Sequence, residues 1–390
     1  MNDLTVVRAG RVVPAPDTTA LTDRRIVLRD GLVQDITDDR GDLPPGSTVV
    51  DASRATVVAG LWNAHVHLTP PTLAGARRRP AAELEAGLAE MLTSHGFTTV
   101  VDLSSDPRNT FRLRHRVESG EIAGPRIWTA ASGLHPHRGI PFYTREAVPR
   151  YLWWAIPTPR TPRRAAAVVR LQQRMGADVT KLFTGSYVTP KTVKPMRTDI
   201  ATAAVAVAHE RGDLAFAHTS NREGLQVALD AGVDVVAHVP DETEGVAPLL
   251  RRAAETGVAL VPTFQMFART VTDSPSYLDP MVEAARVFVE AGGQMVFGTD
   301  VGYMADPTID DELAYLAQVG LDGTDVLRMF TTAPADLFGT AGGRIAPGLP
   351  ADLTVLDGDP LGDVSAYARV RATIRAGRVI WAASGQAGDD

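Results

Sequence analysis

Strand–helix alternation constrains this chain more than any other feature. From Val57 onward, short apolar runs alternate with amphipathic stretches. The runs are Val57–Ala64, Thr98–Leu103, Arg126–Ala131, Asp178–Phe183, Leu214–His218, Val233–His238, Val258–Val261 and Met295–Thr299. Helical periodicity fills most of the gaps: Glu83–His95, Arg163–Met175, Ile200–Arg211, Arg222–Ala231, Val246–Thr256 and Pro280–Ala291. A glycine follows each of these helices (Gly96, Gly176, Gly212, Gly232, Gly257, Gly292), where a helix commonly ends in a left-handed residue. Alternation of this kind implies a parallel sheet. Eight repeats predict an α/β fold, a closed (β/α)8 TIM-like barrel over residues 57–342.

The flanks read differently. Residues 1–56 are short apolar runs and turns, with a hairpin signal at Asp30-Gly31 and a break at Pro44-Pro45-Gly46. Residues 343–390 turn β again, at Ala351–Leu356 and Ala372–Ile380. Neither flank is long enough for a comfortable core alone. The expected arrangement joins them as one small discontinuous β-sandwich domain from both termini. The chain has 390 residues, which leaves room for this beside a barrel of ~250 residues.

Two connections break the barrel rhythm. Ser132–Thr161 carries five prolines, and a connection this long usually has a task. It follows a barrel strand, so it is expected to wall a substrate pocket. Tyr151, Trp153 and Trp154 in it either cover the mouth or fill a local core. The second long connection is Thr184–Thr198.

Barrel enzymes place their chemistry at the C-terminal ends of the strands. The first run, V-V-A-G-L-W-N-A-H-V-H-L, delivers His65 and His67 there, and residues two apart in a strand share a face. Imidazole suits zinc and similar divalent ions. Lys181 sits in the apolar run A-D-V-T-K-L-F, where lysine is rarely buried without a partner. Either it pairs with an acid, or its neutral amine has taken up CO2 and the carbamate bridges two metal ions. His218 ends L-A-F-A-H and His238 ends V-D-V-V-A-H. Each alone reads as a core histidine, but with His65, His67 and Lys181 they make a constellation that structure alone does not explain. Asp300 ends M-V-F-G-T-D; alone it would cap a helix, and in this company it reads as metal ligand and general base. Two divalent ions against a carbamate, a carboxylate and a hydroxide leave net positive charge, which polarises a carbonyl.

Composition removes several classes. Net charge is −7, which argues against nucleic acid as a partner. There is no cysteine, so disulfides and thiolate metal sites are excluded. No apolar run reaches the ~20 residues of a membrane span, and M-N-D-L-T-V-V-R lacks the layout of a signal peptide. The expectation is a cytoplasmic protein acting on a small molecule, without membrane attachment, with homo-oligomerisation left open.

These motifs resemble the metal-dependent amidohydrolase superfamily, and within it the imidazolonepropionase-like group that includes prolidase-type dipeptidases. G-L-W-N-A-H-V-H, S-H-G-F-T-T-V-V-D, G-A-D-V-T-K-L-F, A-L-D-A-G-V-D-V-V-A-H, F-G-T-D-V-G and R-I-A-P-G-L-P-A-D-L-T-V-L-D-G-D-P-L all match in order along nearly the whole chain. The resemblance implies that His65, His67 and Asp300 bind one zinc ion and His218 and His238 a second. Carboxylated Lys181 would bridge them. It implies hydrolysis of an amide or lactam C–N bond by metal-activated hydroxide, with Asp300 as general base. A histidine after strand three contacts the substrate carbonyl in relatives. Here S-G-L-H-P-H-R-G offers His135 and His137. Arg138, Tyr187 and Arg222 are candidate anchors for a substrate carboxylate. The unusual third and fourth loops keep a non-hydrolytic outcome (cyclase, isomerase or lyase) as the alternative.

Overall fold

The computed structural model describes residues 4–271 and 274–384. The N-terminal flank forms β1 (Leu4–Val13), β2 (Leu21–Arg29), β3 (Leu32–Asp38) and β4 (Thr48–Ala59). β2 turns into β3 through Asp30 (φ 51°) and Gly31 (φ 77°), the two positive-φ residues that a tight hairpin requires. β1 pairs antiparallel with β2 and parallel with β4.

The barrel region carries β5 (Leu61–Val66), β6 (Phe97–Asp102), β7 (Arg126–Thr129) and β8 (Thr180–Phe183). A hairpin follows, β9 (Gly185–Thr189) and β10 (Thr192–Pro195), then β11 (Ala215–His218), β12 (Val235–Ala237) and β13 (Ala259–Val261). β5, β6 and β7 run parallel in that order, and β8, β11, β12 and β13 form a second parallel set. Hydrogen bonds continue between the sets. Asp178 N–H donates to Thr129 O (2.8 Å), and Leu134 bridges Leu182. On the other side Met295 bridges Leu260, Ala64 N–H donates to Phe297 O (2.7 Å), and Val301 bridges Val66. The result is a TIM-barrel-like α/β fold. The eighth run, expected as a strand over Met295–Thr299, joins its neighbours through these isolated bridges rather than a continuous ladder.

Small and β-branched residues, among them Ala64, Val101, Ala130, Val235, Ala237, Val261 and Val296, form one buried cluster on the strands. The surrounding helices bury their apolar faces against the strands in a larger cluster. All six expected helices are present within two or three residues, except that the first stops at Met91 before a short 3-10 turn at Thr93–His95. Each of the six glycines after them has positive φ, from 74° at Gly257 to 106° at Gly176. The Arg-rich helix Pro107–Glu118, capped by the Asp106 side chain, was not among those six, because its apolar stripe is thin.

At the end of the chain come β14 (Leu353–Leu356), β15 (Val370–Arg375) and β16 (Arg378–Ala382), the last two joined by a turn at Ala376-Gly377. β14 pairs antiparallel with β4, so both flanks share one seven-stranded sheet in the order β16-β15-β14-β4-β1-β2-β3. Val7, Ile26, Leu28, Val57, Leu353, Val355 and Ile374 share its core. One boundary is corrected. The run Val57–Ala64 is two strands: Val57–Ala59 ends β4 of the terminal sheet, and the barrel strand starts at Leu61. Gly60 separates them where the chain presses on Thr98, whose Oγ1 would lie 2.2 Å from an added Cβ.

Candidate metal centre

The strand ends converge. His65 and His67 put their ring centroids 5.4 Å apart, as a shared face predicts. His65 lies 4.6 Å from His238, and His238 lies 4.8 Å from His218. Asp300 stands between them. Its Oδ1 is 2.9 Å from His67 Nε2 and 3.4 Å from His65 Nε2, and its Oδ2 is 3.8 Å from His238 Nε2. Ligand atoms of His65, His238 and Asp300 all lie within 4.8 Å of one another. Close packing sets this approach: at Gly298 an added Cβ would sit 2.5 Å from Val261 Cγ1 and 2.9 Å from His65 Cβ.

The rings are aimed from behind. Ser104 O lies 2.8 Å from His67 Nδ1, and Thr263 Oγ1 lies 2.7 Å from His238 Nδ1. Both contacts leave Nε2 facing the centre, the usual arrangement behind metal-binding histidines. His218 instead turns Nε2 to Ser220 Oγ, 2.9 Å away. Asn63 ties the first and eighth segments by donating to Thr299 Oγ1 (2.8 Å) and accepting from His65 N–H (3.2 Å). Asp102, fully buried at the end of β6, accepts from Thr129 Oγ1 (2.9 Å), Thr110 Oγ1 (3.2 Å) and Ser105 Oγ. Ser105 in turn accepts the N–H of Leu68, next to His67. Sequence reasoning passed over this support, although Asp102 ends an apolar run just as Asp300 does.

Backbone strain gathers at the same place. Ser104 (φ 118°), Ser220 (φ 52°), His238 (φ 110°), Thr263 (φ 53°) and Asp300 (φ 60°) all have positive φ. Such conformations cost of order 1–3 kcal/mol each and cluster at functional sites.

The electrostatics favour neutral imidazoles at three of the four histidines. Burial holds His65, His218 and His238 well below the usual imidazole range, with the Lys181 charge adding to it. Burial also pushes His67 down, but the neighbouring Asp300 carboxylate outweighs this and raises it. Lys181 is 1% exposed and its Nζ has no hydrogen-bond partner. Burial drops its ammonium to about 7, with Asp300 opposing. Both nitrogens of His65 are likewise buried without hydrogen bonds. Buried polar groups without partners are rare and call for an explanation. Imidazole and carboxylate donors around one point fit a divalent cation.

The two loop histidines separate. His135 is buried, stacks on Phe183 at 4.1 Å, and leaves Nδ1 without a partner. Phe183 lies 5.0 Å from His218. Burial and the Lys181 charge bring His135 to about 3, so it is neutral. His137 points elsewhere and accepts from Arg160 Nε at 3.3 Å. Arg138 and Arg222 are exposed, and Arg222 lies over Gly245. Tyr187 donates its hydroxyl to Asp241 (2.8 Å) and Glu242 (3.2 Å), and Tyr277 donates to Asp241 (3.1 Å). Burial raises Asp241 to about 6. So the structure brings together His65, His67, Lys181, His218, His238, Asp300 and His135. It leaves His137, Arg138 and Arg222 outside this cluster and turns Tyr187 to an acidic pair. In the long loop, Tyr151 and Trp154 are exposed (74% and 83%), so they fill no local core, while Trp153 donates to Val148 O.

Comparison with known proteins follows the same line. The model of the amidohydrolase family matches residues 56–380. Ochratoxinase from Aspergillus niger is 23% identical over 421 residues, covering 95% of this chain and 84% of that protein. Its crystal structure superposes with a TM-score of 0.75 at 19% identity, covering 99% of each chain. A Xaa-Pro dipeptidase crystallised with methionine in its active site gives a TM-score of 0.80 at 22% identity, covering 97% of this chain and 100% of that one. Among the described residues no helix is long and apolar enough to cross a membrane.

Proposed function

The chain belongs to the amidohydrolase family, hydrolases of carbon–nitrogen bonds, and from that premise we propose that it hydrolyses an amide or lactam of a small molecule at a two-zinc centre. In this reading the barrel that starts at Leu61 and runs to about residue 342 is closed, and residues 4–59 with 343–384 form its β-sandwich companion. The hydrogen bonds from Asp178 to Thr129 and from Ala64 to Phe297 support the closure. The seven-stranded sheet supports the companion domain.

His65, His67 and Asp300 would hold one ion, His218 and His238 the other, and Lys181 would bridge them. The single observation that carries this is the set of buried nitrogens without hydrogen-bond partners: both of His65 and Lys181 Nζ. Lys181 with its ammonium at about 7 has neutral amine available near neutral pH. That amine adds to CO2, forming the N–C bond of a carbamate and releasing one proton. The carbamate replaces a misplaced positive charge with an oxygen ligand. The metal ions supply Lewis acidity for the carbonyl and lower the pKa of water.

The remaining steps belong to the side chains. Asp300 accepts the proton from the attacking water and delivers it to the leaving nitrogen. His135, neutral and buried beside Lys181, faces the substrate carbonyl and fixes its orientation. The long loop that carries it excludes water. The test is metal analysis of purified protein, followed by a panel of N-acyl amino acids, dipeptides and lactams read by product mass. Hydrolysis adds one water. Metal-replete protein that converts substrate without gaining water, or protein that takes up no divalent metal, would overturn the proposal.

A further inference from the structure

Glu312 is fully buried on the helix Asp310–Val319, and nothing in the chemistry above uses it. Its Oε2 accepts the backbone N–H of Gln265 at 2.7 Å. The neighbouring N–H groups of Phe264 and Thr263 also favour its ionised form, but burial outweighs all three and raises the carboxyl to about 8. Gln265 answers with its own side chain: Oε1 accepts the Glu312 N–H at 3.1 Å, and Nε2 donates to Thr308 O at 2.6 Å. Gln265 and Glu312 therefore clasp each other, each side chain accepting the other's backbone N–H, across 47 residues of sequence. Glu312 Oε1 has no partner at all, so the group is held for what Oε2 does.

What this clasp holds is the turn that begins at Thr263. This β-branched residue sits in the left-handed region (φ 53°), a genuine outlier for its type. Such a conformation persists only when its surroundings over-determine it. Its Oγ1 is the atom that meets His238 Nδ1 at 2.7 Å. We propose that Glu312 is a positioning residue for the metal centre. It locks the turn at 263–265, and the locked Thr263 hydroxyl sets the ring orientation of His238, whose Nε2 faces Asp300. The relay couples the helix after the eighth barrel segment to a ligand on the sixth strand. It rests on the metal-centre reading of His238.

The test uses Glu312→Gln, Thr263→Val and the double variant in the full chain. Glutamine keeps the shape but replaces one carboxyl oxygen with an NH2 group beside the Gln265 N–H. Valine keeps the branch and loses the hydroxyl. Zinc affinity by competition titration should fall about 10–100-fold in each single variant, the usual effect of removing support behind a ligand. The double variant should lose no more than the worse single one, because both cut one relay. Thr263→Ser should restore binding. A purely structural role for Glu312 would lower the unfolding midpoint and leave zinc affinity unchanged, which overturns the proposal, as does multiplication of the two losses. If Glu312→Gln does not fold, Glu312→Asp, with its carboxylate withdrawn by one carbon, is measured the same way. Imidazole 15N shifts of His238 in metal-free protein give an independent reading. If Glu312→Gln moves them while wild type takes up no metal, the relay stands and the metal-centre reading fails. If they stay unmoved, the relay fails.

Discussion

Lys181 and Asp300 carry the sharpest consequences at the residue scale. Lys181 is the one ammonium among the proposed ligands, and the proposed centre would hold positive charge of its own. Lys181→Ala should lose most of its zinc and at least ~10²-fold in kcat, since even disturbing a ligand's support costs that much. A short carboxylic acid such as acetate or propionate should restore part of both. Zinc content and turnover measured with and without the acid check this; a variant with normal zinc and normal turnover would show that the amine is a bystander. For Asp300→Asn the expectation is different. Asparagine keeps one oxygen at the position now 2.9 Å from His67 Nε2, but it cannot take up a proton. The protein should fold and keep most of its metal while kcat falls by on the order of 10²–10⁴. These residues were legible in the sequence because Asp300 ends an apolar run and Lys181 interrupts one, where a charged or titratable group has no structural reason to be placed. Their support was not. Asp102, Ser104 and Thr263 act through hydrogen bonds between segments far apart in the chain, and no local pattern marks those bonds.

The element that most changes its meaning between sequence and structure is the connection Ser132–Thr161. Proline content and length mark it as a functional loop, but spacing alone does not choose between His135 and His137. In space the choice follows from backbone pairing. Leu134 N–H donates to Lys181 O, and Phe183 N–H donates to Leu134 O, both in the ladder toward β8. His135, next in the chain, donates its N–H to Pro157 O and lands on Phe183. By His137 the chain has left that edge. His135→Ala should therefore lose ~10²–10³ in kcat/KM, the range for removing one group that stabilises a developing oxyanion, with zinc content unchanged. His137→Ala should stay within about twofold, as surface substitutions do. Steady-state kinetics on any substrate found by the panel decides; equal losses in both would mean that the loop, not the ring, matters. The same lesson applies to Val57–Ala64. Periodicity runs unbroken through Gly60, so only the contact with Thr98 reveals that one apolar run serves two sheets.

At the scale of the whole molecule the two flanks are stitched to the end of the barrel opposite the metal centre. Thr354 on β14 is the clearest stitch. It is fully buried, its hydroxyl donates to Gly96 O at 2.8 Å, and it accepts the N–H of Leu61 at 3.3 Å. Leu61 starts β5, and Gly96 immediately precedes β6, so both contacts lie at the N-terminal ends of barrel strands. Thr373 adds a second, donating to Thr93 O at 2.6 Å. Conservation of function in such barrels belongs to the other face, where the strands end. The two faces should therefore be separable by one substitution. Thr354→Val keeps the volume and branch and removes the hydroxyl, which leaves the Leu61 N–H and the Gly96 carbonyl buried without partners. Each unsatisfied group costs about 1–3 kcal/mol. The urea midpoint should drop by the corresponding amount with an unchanged slope, while zinc content and kcat at temperatures below unfolding stay at wild-type values. A variant that lost metal or turnover in proportion to stability would show that the terminal sheet and the metal centre are one cooperative unit, and that β5 transmits strain from its first residue to His65.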